Sequence, residues 1–507
     1  MRANENLRRD SDSPIERTEP AKRRPVKRID PSRRIAVPSV LSAAPSPCLR
    51  PRSFGRAPIE PPSEETFMAW SFSTEPEFET TLAWIREFVD GTIIPLDLLC
   101  EGLDQKQLDA LWAPLKAEVK KKGLWAPHLG PEHGGQGMGQ LKLALIHEIL
   151  GRHSLAPEIF GCQGPDSGNA ELLAVGANEA QRERWLYPLM RGEIRSTFSM
   201  TEPFTASSDP TEMTTRARRD GDGWIIDGHK WFASNASVSD FTLLFAVTDP
   251  DAPPHQRASM FVVERGTPGV TVVRDVGSMA HPHFSEPGHL YDRVGGHSEV
   301  VYEHCRVPAE NLIGQPGEGF LLSQKRLGGG RIHHAMRCIG QAQRAFEMML
   351  ERAASRKTKG KPLGQQQMVQ DMIAESHAEL EAARLLVLKA AWSMDEGGDH
   401  GSSSRAEISM IKFAVPRITL GIIDRAIQIH GALGYTTDMP LEEMYRTSRA
   451  LRIADGADEV HKQTLAKQLL KTVKPVGPWP SEHVPTRRAE AWKRFGKQIE
   501  AVRKMRG

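Results

Sequence analysis

Residues 451–461, LRIADGADEVH, place three acids within five positions, beside a glycine. A carboxylate in such a turn has two physical uses. It can face the positive end of the helix that follows, or it can take a proton from a group held within hydrogen-bond reach. Asp458 and Glu459 suit the first use, at the opening of a helix that ends near Leu470. The Asp-Gly step turns the chain, and Asp455 is left without a capping task.

A second stretch with chemical potential is STFSMTEPFTASSDPTEM, 196–213. Its prolines break regular structure, so the hydroxyls of Thr201, Thr205, Ser207 and Ser208 share a loop with free backbone amides. Such a loop can cradle a phosphate, although by composition alone it reads as an ordinary polar connector. The glycine-rich HGGQGMG, 133–139, follows polar, proline-bearing sequence rather than a strand, which excludes a dinucleotide turn. His281, His283, His289 and His297 share one long connection, but their spacing is irregular and no carboxylate completes a metal pattern. No metal is expected, and the connection reads as a solvent-facing loop over a site mouth. Five scattered cysteines without a CxxC pair exclude a disulfide framework and suit a reducing compartment.

These residues need elements to hold them. From about 75 to 196 the apolar period is helical, with Phe78, Leu82 and Ile85 at three- and four-residue spacing. Residues 222–306 switch to period two in short runs such as GWIIDG, FTLLFAVTD, SMFVVERG, GVTVVRDV and EVVYEHCRV. Long helices return after LGGG, 327–330, where Ile332, Met336, Ile339, Gln343 and Phe346 fall on one face. The expected division is 68–196 helical, 197–310 β, 311–475 helical bundle and 476–507 a basic tail helix. Residues 1–67 hold 11 of the 36 prolines and read as disordered, and Met68 reads as the true start.

The net charge of +2 hides an asymmetry. Residues 1–67 and 476–507 carry +5 each, so the 408 residues between them carry −8. A nucleic-acid-binding core is excluded, and any polyanion contact belongs to the tails. Trp492, Phe495, Ile499 and Val502 form one face of the terminal helix, a stripe expected to dock on the bundle. No apolar run is long enough for a membrane span.

SMTEPFTASSD (199–209) followed by DGHKWFASNA (227–236) resembles the flavin-binding signature of acyl-CoA dehydrogenases. GPDSGNAELL (164–173), HCRVPAENLIGQPGEGF (304–320), GGGRIHHAMR (328–337), QIHGALGY (428–435) and ADGADEVH (454–461) extend the likeness over almost all of 75–472. Their forms are most similar to the subgroup with human family members ten and eleven. The resemblance implies a mostly α, α+β fold: an N-terminal helical domain, a central β-barrel and a C-terminal four-helix bundle. It also implies FAD, an acyl-CoA substrate, an electron-transfer flavoprotein as electron acceptor, and a homodimer or homotetramer working in fatty-acid β-oxidation.

Carried over residue by residue, the resemblance places Met200, Thr201 and Ser208 on the flavin and its phosphates, with Ser208 also near the CoA arm. Trp231 packs against the flavin ring. Ala233 stands where a hydroxyl is usual, and Ser234 is next to it. Arg356, Gln367, Gln428, Gly431 and Ala432 reach the FAD of a neighbouring subunit, with Lys359 replacing a usual phenylalanine and Ala432 a usual glycine. Ala457 belongs to the cofactor site; Arg331 and Gly456 belong to the CoA substrate. Asp455 matches the general base, usually glutamate, which takes the thioester α-proton while FAD takes the β-hydrogen as hydride. Its own amide and a flavin ribityl hydroxyl hold the thioester carbonyl. Desolvation is expected to raise the Asp455 pKa towards working pH. Some relatives carry the base on the helix at 331–350, but the matching position is Arg337, which cannot serve. Two other outcomes stay open. One is an oxygen-using flavoenzyme of the same superfamily, a nitroalkane or acyl-CoA oxidase; the other, less favoured, is a flavin-bearing DNA-binding relative. A cytoplasmic setting is expected, mitochondrial only if the leader is a genuine presequence.

Overall fold

The computed structural model describes residues 74–281, 287–290, 294–397 and 404–505. The leader expected over 1–67, Met68 and His283 lie outside the described residues.

The N-terminal helices are α1 (Pro76–Phe88), α2 (Gln105–Lys121), α3 (Gly139–Leu150) and α4 (Asp166–Gly176), with shorter turns between them. Asp104 opens α2 with a reciprocal cap: Gln107 N donates to its carboxylate at 2.8 Å, and Asp104 N donates to Gln107 Oε1 at 3.0 Å. Ile85, Trp112, Val119, Ile146, Ile149 and Phe160 form the core beneath. The glycine-rich loop before α3 follows a short 3-10 turn, Pro131–His133, as its polar sequence requires.

Eight strands follow: β1 (Ser196–Ser199), β2 (Arg216–Asp220), β3 (Gly223–Ser234), β4 (Phe241–Val247), β5 (Ala258–Glu264), β6 (Val270–Asp275), β7 (His297–Pro308) and β8 (Leu312–Ile313). They form one sheet in the order β6-β7-β3-β2-β4-β5-β8, with β1 added parallel to β4. The five expected strands are present. β1, β2 and β8 lack a legible alternation, since β2 reads RARRD and β8 has two residues.

The bundle is α5 (Gly319–Ser355), α6 (Gln367–Gly397), α7 (Arg405–His430), α8 (Leu441–Ala450) and α9 (Asp458–Lys471). The predicted face of α5 is in the core, where Ile332, Met336, Ile339 and Phe346 pack with Leu380, Val387, Ile411 and Ile422. Its opposite, arginine-bearing face is not left to solvent. Arg337 donates to Cys162 O at 2.6 Å and to Gln163 Oε1 at 3.0 Å. Arg152 clamps Asp90 at 2.7 Å and Glu347 at 2.7 Å. Asp395 of α6 caps α3 by accepting from Gln140 N and Leu141 N at 2.6 and 2.9 Å. Charged cross-ties therefore lock the N-terminal helices on to the bundle.

The tail helix α10 spans Val484–Lys504. The expected docking of its apolar stripe on the bundle is not observed: Trp492, Phe495, Ile499 and Val502 are 40%, 43%, 43% and 58% exposed. The preceding segment, with Pro475, Pro478 and Pro480, is solvent-exposed, and it does not bring the stripe against the core. No described helix is long and apolar enough to cross a membrane.

Candidate active site

Asp455 lies on the turn between α8 and α9, with a left-handed φ of +54°, a region that Asp and Asn tolerate better than other side-chain-bearing residues. Gly456 follows at φ +102°. A Cβ there would stand 2.6 Å from His461 Nε2, so only glycine fits. Four side chains fix the turn. Arg331 donates to Asp455 O at 3.2 Å, and His461 Nε2 meets the same oxygen at 3.2 Å. Lys412 of α7 donates to Leu451 O at 2.7 Å and to Gly456 O at 3.2 Å. Arg452 pairs with the buried Asp458 at 2.9 Å, so the first acid of α9 is held by a guanidinium as well as by the helix dipole.

The Asp455 carboxylate itself faces His334, with Oδ2 3.4 Å from Nε2. The two side chains keep 27% and 31% of their surface, so a substrate can reach both. Arg331 and His334 are three residues apart on α5 and so share a face. Burial pushes the Asp455 carboxyl upward, but His334, Arg326, Arg331 and Lys412 outweigh it and hold the pKa below the ordinary aspartate value. This corrects the expected rise towards working pH: the pocket around Asp455 is cationic rather than apolar. Burial chiefly, with Arg337 and other cations, holds His334 at about 4 against the pull of Asp455. At neutral pH an anionic carboxylate therefore faces a neutral imidazole.

Arg326 connects this turn to the sheet. Its guanidinium lies 4.1 Å from the Phe198 ring of β1, and its Nε donates to Asn169 of α4 at 2.9 Å. Asn169 in turn bonds Ser196 at 2.9 Å. Burial pushes the neighbouring Glu171 up to about 8 despite Arg326, so this acid is mostly uncharged at neutral pH.

Past β1, Trp231 N donates to Thr201 O at 2.8 Å, which places Met200 and Thr201 alongside Trp231 of β3. Lys230, fully buried, donates to Met200 O at 2.7 Å and pairs with Glu202 at 2.9 Å. Burial pushes the Glu202 carboxyl up, but the Lys230 charge and bonds from Thr214 and Thr215 outweigh it and hold it at about 2. Burial of the ammonium holds Lys230 itself at about 8. Ser207 turns inward, accepting from Glu202 N at 2.9 Å, whereas Ser208 is exposed. Ala233 is fully buried, and the Ser234 hydroxyl meets His297 Nδ1 at 2.9 Å, so any cofactor bond from Ser234 competes with His297.

The remaining candidates stand elsewhere. Arg356, Gln367, Gln428, Gly431 and Ala432 are all exposed. Lys412 and Gln428 are sixteen residues apart on α7, or about 24 Å along the axis. Arg331 and Arg356 are separated by about 37 Å along α5 by the same rise. The C-terminal ends of these two helices come together, since Arg352 meets His430 O at 3.5 Å. One chain thus presents two clusters at opposite ends of its bundle. Ala457, at the N-cap of α9, stays with Asp455.

The acyl-CoA dehydrogenase family models match in chain order: the N-terminal domain over 75–193, the middle domain over 197–287 and the C-terminal domain over 317–470. The chain belongs to the acyl-CoA dehydrogenase family. It is 44% identical over 363 residues to a probable acyl-CoA dehydrogenase, FadE2, of Mycobacterium tuberculosis, covering 71% of this chain and 86% of that protein. Acyl-CoA dehydrogenase family member 11 of Homo sapiens is 42% identical over 360 residues, 70% of this chain. This chain spans only 44% of that relative's length, and 36% of that of mouse family member 10, at 41% identity and 76% of this chain. A solved structure of a putative acyl-CoA dehydrogenase from Mycobacterium abscessus superposes with a TM-score of 0.72 at 37% identity, over 79% of this chain and all of that one. A glutaryl-coenzyme A dehydrogenase complexed with glutaryl-CoA gives 0.69 at 28% identity, over 80% and 98%. The protein is accordingly an oxidoreductase acting on acyl-CoA, and its family is FAD-dependent.

The residues of this dehydrogenase fit that cofactor. Among the described residues the Thr201 and Ser208 hydroxyls have no hydrogen-bond partner, while Lys230, Glu202 and Ser207 hold the loop that carries them. Gly431, at φ +67°, would have open space beside a Cβ, leaving its backbone approachable. His334, Lys412, Arg326 and Glu171 were not legible as site residues, because no spacing signals a contact made only by packing.

Gly456→Ala tests the turn. The left-handed φ and the His461 contact should displace Asp455 at a cost of about 1–3 kcal/mol of local strain. The expected result is slower flavin reduction with FAD retained, read by stopped-flow absorbance.

Proposed function

We propose that the chain oxidises an acyl-CoA thioester to the 2-enoyl-CoA with FAD, and that Asp455 is the base. The observation carrying this reading is the Asp455 turn: an anionic carboxylate, partly accessible, locked by Arg331, His461 and Lys412. Bound FAD would supply the hydride acceptor. Asp455 Oδ takes the α-proton from the thioester, and His334 lies close enough to share it. The loop's own bonds run from Ala454 N to Ala450 O and from Asp458 N to Arg452 O, leaving the Asp455 amide for the thioester carbonyl. Arg331 fixes that peptide from the other side. Met200, Thr201, Ser208 and Trp231 would hold the cofactor.

Arg356, Gln367, Gln428, Gly431 and Ala432 stand exposed at the far end of the bundle, which supports the reading that they serve the FAD of a second copy. A homodimer, or a tetramer made of two, is the working unit. Electrons then pass to an electron-transfer flavoprotein in a cytoplasmic setting. Reoxidation kinetics test the acceptor: the reduced enzyme should be reoxidised quickly by electron-transfer flavoprotein and slowly by air. Fast reoxidation by air with release of hydrogen peroxide would make it an oxidase instead.

A further inference from the structure

The tail helix α10 has the sequence VPTRRAEAWKRFGKQIEAVRK. At 100° per residue, Val484, Trp492, Phe495, Ile499 and Val502 share a stripe about a quarter of the circumference wide. The helix carries seven cations, Arg487, Arg488, Lys493, Arg494, Lys497, Arg503 and Lys504, against Glu490 and Glu500, a net +5. Arg488 stands within the arc and Arg503 at its edge, while Lys493, Lys497 and Lys504 occupy the opposite, polar face. Arg503 lies 5.5 Å from the Trp492 ring, and Arg494 lies 5.0 Å from that of Phe495.

Among the described residues nothing covers this face. From 484 to 505 only Gly496 is buried, and the ring beside it is that of Trp492 on the same helix, 3.0 Å from where a Cβ would be. The exposed apolar surface continues upstream through Leu470, Val473, Val476 and Trp479, each 60–71% exposed. The family's own architecture ends before it. The C-terminal domain match stops at 470, and the Mycobacterium abscessus structure is matched along its whole length by 79% of this chain. The family models therefore do not account for α10.

We infer that α10 is an interfacial helix that lies on an anionic lipid surface. A narrow apolar stripe rich in Trp and Phe, opposite a polar face of lysines on a helix of low overall hydrophobicity, suits the boundary between headgroups and acyl chains. The charge division selects the surface. The middle 408 residues carry −8 and are repelled by an anionic bilayer, while the +5 helix is attracted. The proline-bearing segment 472–483 separates the two. Arg488, within the arc of the stripe, is long enough to extend its charge to the headgroups. The helix lies on the surface and does not span it, since no described helix has the apolar length to cross.

The test uses full-length FAD-loaded enzyme sedimented with vesicles of phosphatidylcholine, with and without about one third phosphatidylglycerol. Binding to the anionic vesicles should exceed binding to neutral ones by at least ~10-fold at about 0.1 M salt, and should weaken as salt rises. Ile499→Ser with Val502→Ser should cut it about tenfold, and so should Arg494→Glu with Lys497→Glu. Flavin reduction by acyl-CoA should be unchanged in both. Any of these outcomes overturns the proposal: no preference for anionic vesicles; full vesicle binding by both variants; or a stripe variant that changes the oligomer's mass while vesicle binding persists, which assigns the stripe to a second copy. Salt-sensitive binding to duplex DNA without vesicle binding overturns it in favour of nucleic acid.

Discussion

Asp455→Asn should keep FAD bound and lose about 10²–10⁴-fold in the rate of flavin reduction by acyl-CoA, the range that a positioned proton acceptor supplies. The substitution isolates the chemistry. Asparagine tolerates the left-handed φ of +54° that this position requires, so the turn should persist. Arg331 and His461 bond the main-chain oxygen of residue 455, not its side chain, and they remain. What disappears is the acceptor for the α-proton. Wild-type pH dependence adds a second check. The folded carboxyl is held below its ordinary value by His334, Arg326, Arg331 and Lys412, although burial opposes them. The anion is therefore present at neutral pH, and the group protonates only as pH falls below the usual aspartate range. The acid limb of kcat/KM due to Asp455 should lie there. A limb near neutrality would assign proton transfer to another group.

The second large effect concerns the flavin loop. Lys230→Met should destabilise the protein by about 3–5 kcal/mol, because the partner carboxylate is left buried and uncompensated. Glu202 is 3% exposed and Lys230 fully buried. Glu202 would keep its bonds from Thr214 N, Thr214 Oγ1 and Thr215 N, at 2.8, 2.7 and 2.8 Å, but lose its cation. Removing both charges is no remedy, since those three donors would then be unpaired. Lys230 also holds Met200 O, so the variant should purify with less FAD. Urea unfolding and the flavin-to-protein absorbance ratio measure the two losses. The sign of the acid effect follows from Glu202, lowered from 4.5 to about 2 in the folded protein. Its contribution is present above the unfolded value and is lost as pH falls towards 2. Glu202→Gln should flatten that part of the acid-unfolding curve.

The short apolar runs FTLLFAVTD and SMFVVERG marked β4 and β5, because both strands bury nearly every side chain and so read as continuous rather than alternating. β2 was not legible. Four of its five residues are charged, and it is a strand only because it pairs with β3 and, at one residue, β4. The three-part division was legible from the change of period, and the family from several motifs in order. Asp455 stood out because its neighbours had a helix to open and it did not. Its environment was not legible. Lys412, 43 residues upstream, and His334, 121 upstream, reach it only once α5 and α7 have packed, and they reverse the expected direction of its pKa. The tail failed for a related reason. A stripe at helical spacing reveals a face but not what covers it, and here the described residues supply no cover.

The central claim is that the Asp455 turn activates an acyl-CoA thioester against bound FAD. An anaerobic titration of the purified yellow protein with a panel of acyl-CoAs tests it most directly. At least one thioester should bleach the flavin band, with the 2-enoyl-CoA recovered, and Asp455→Asn should slow the bleaching by about 10²–10⁴-fold. Flavin that stays oxidised with every acyl-CoA, although FAD is bound, would contradict the claim.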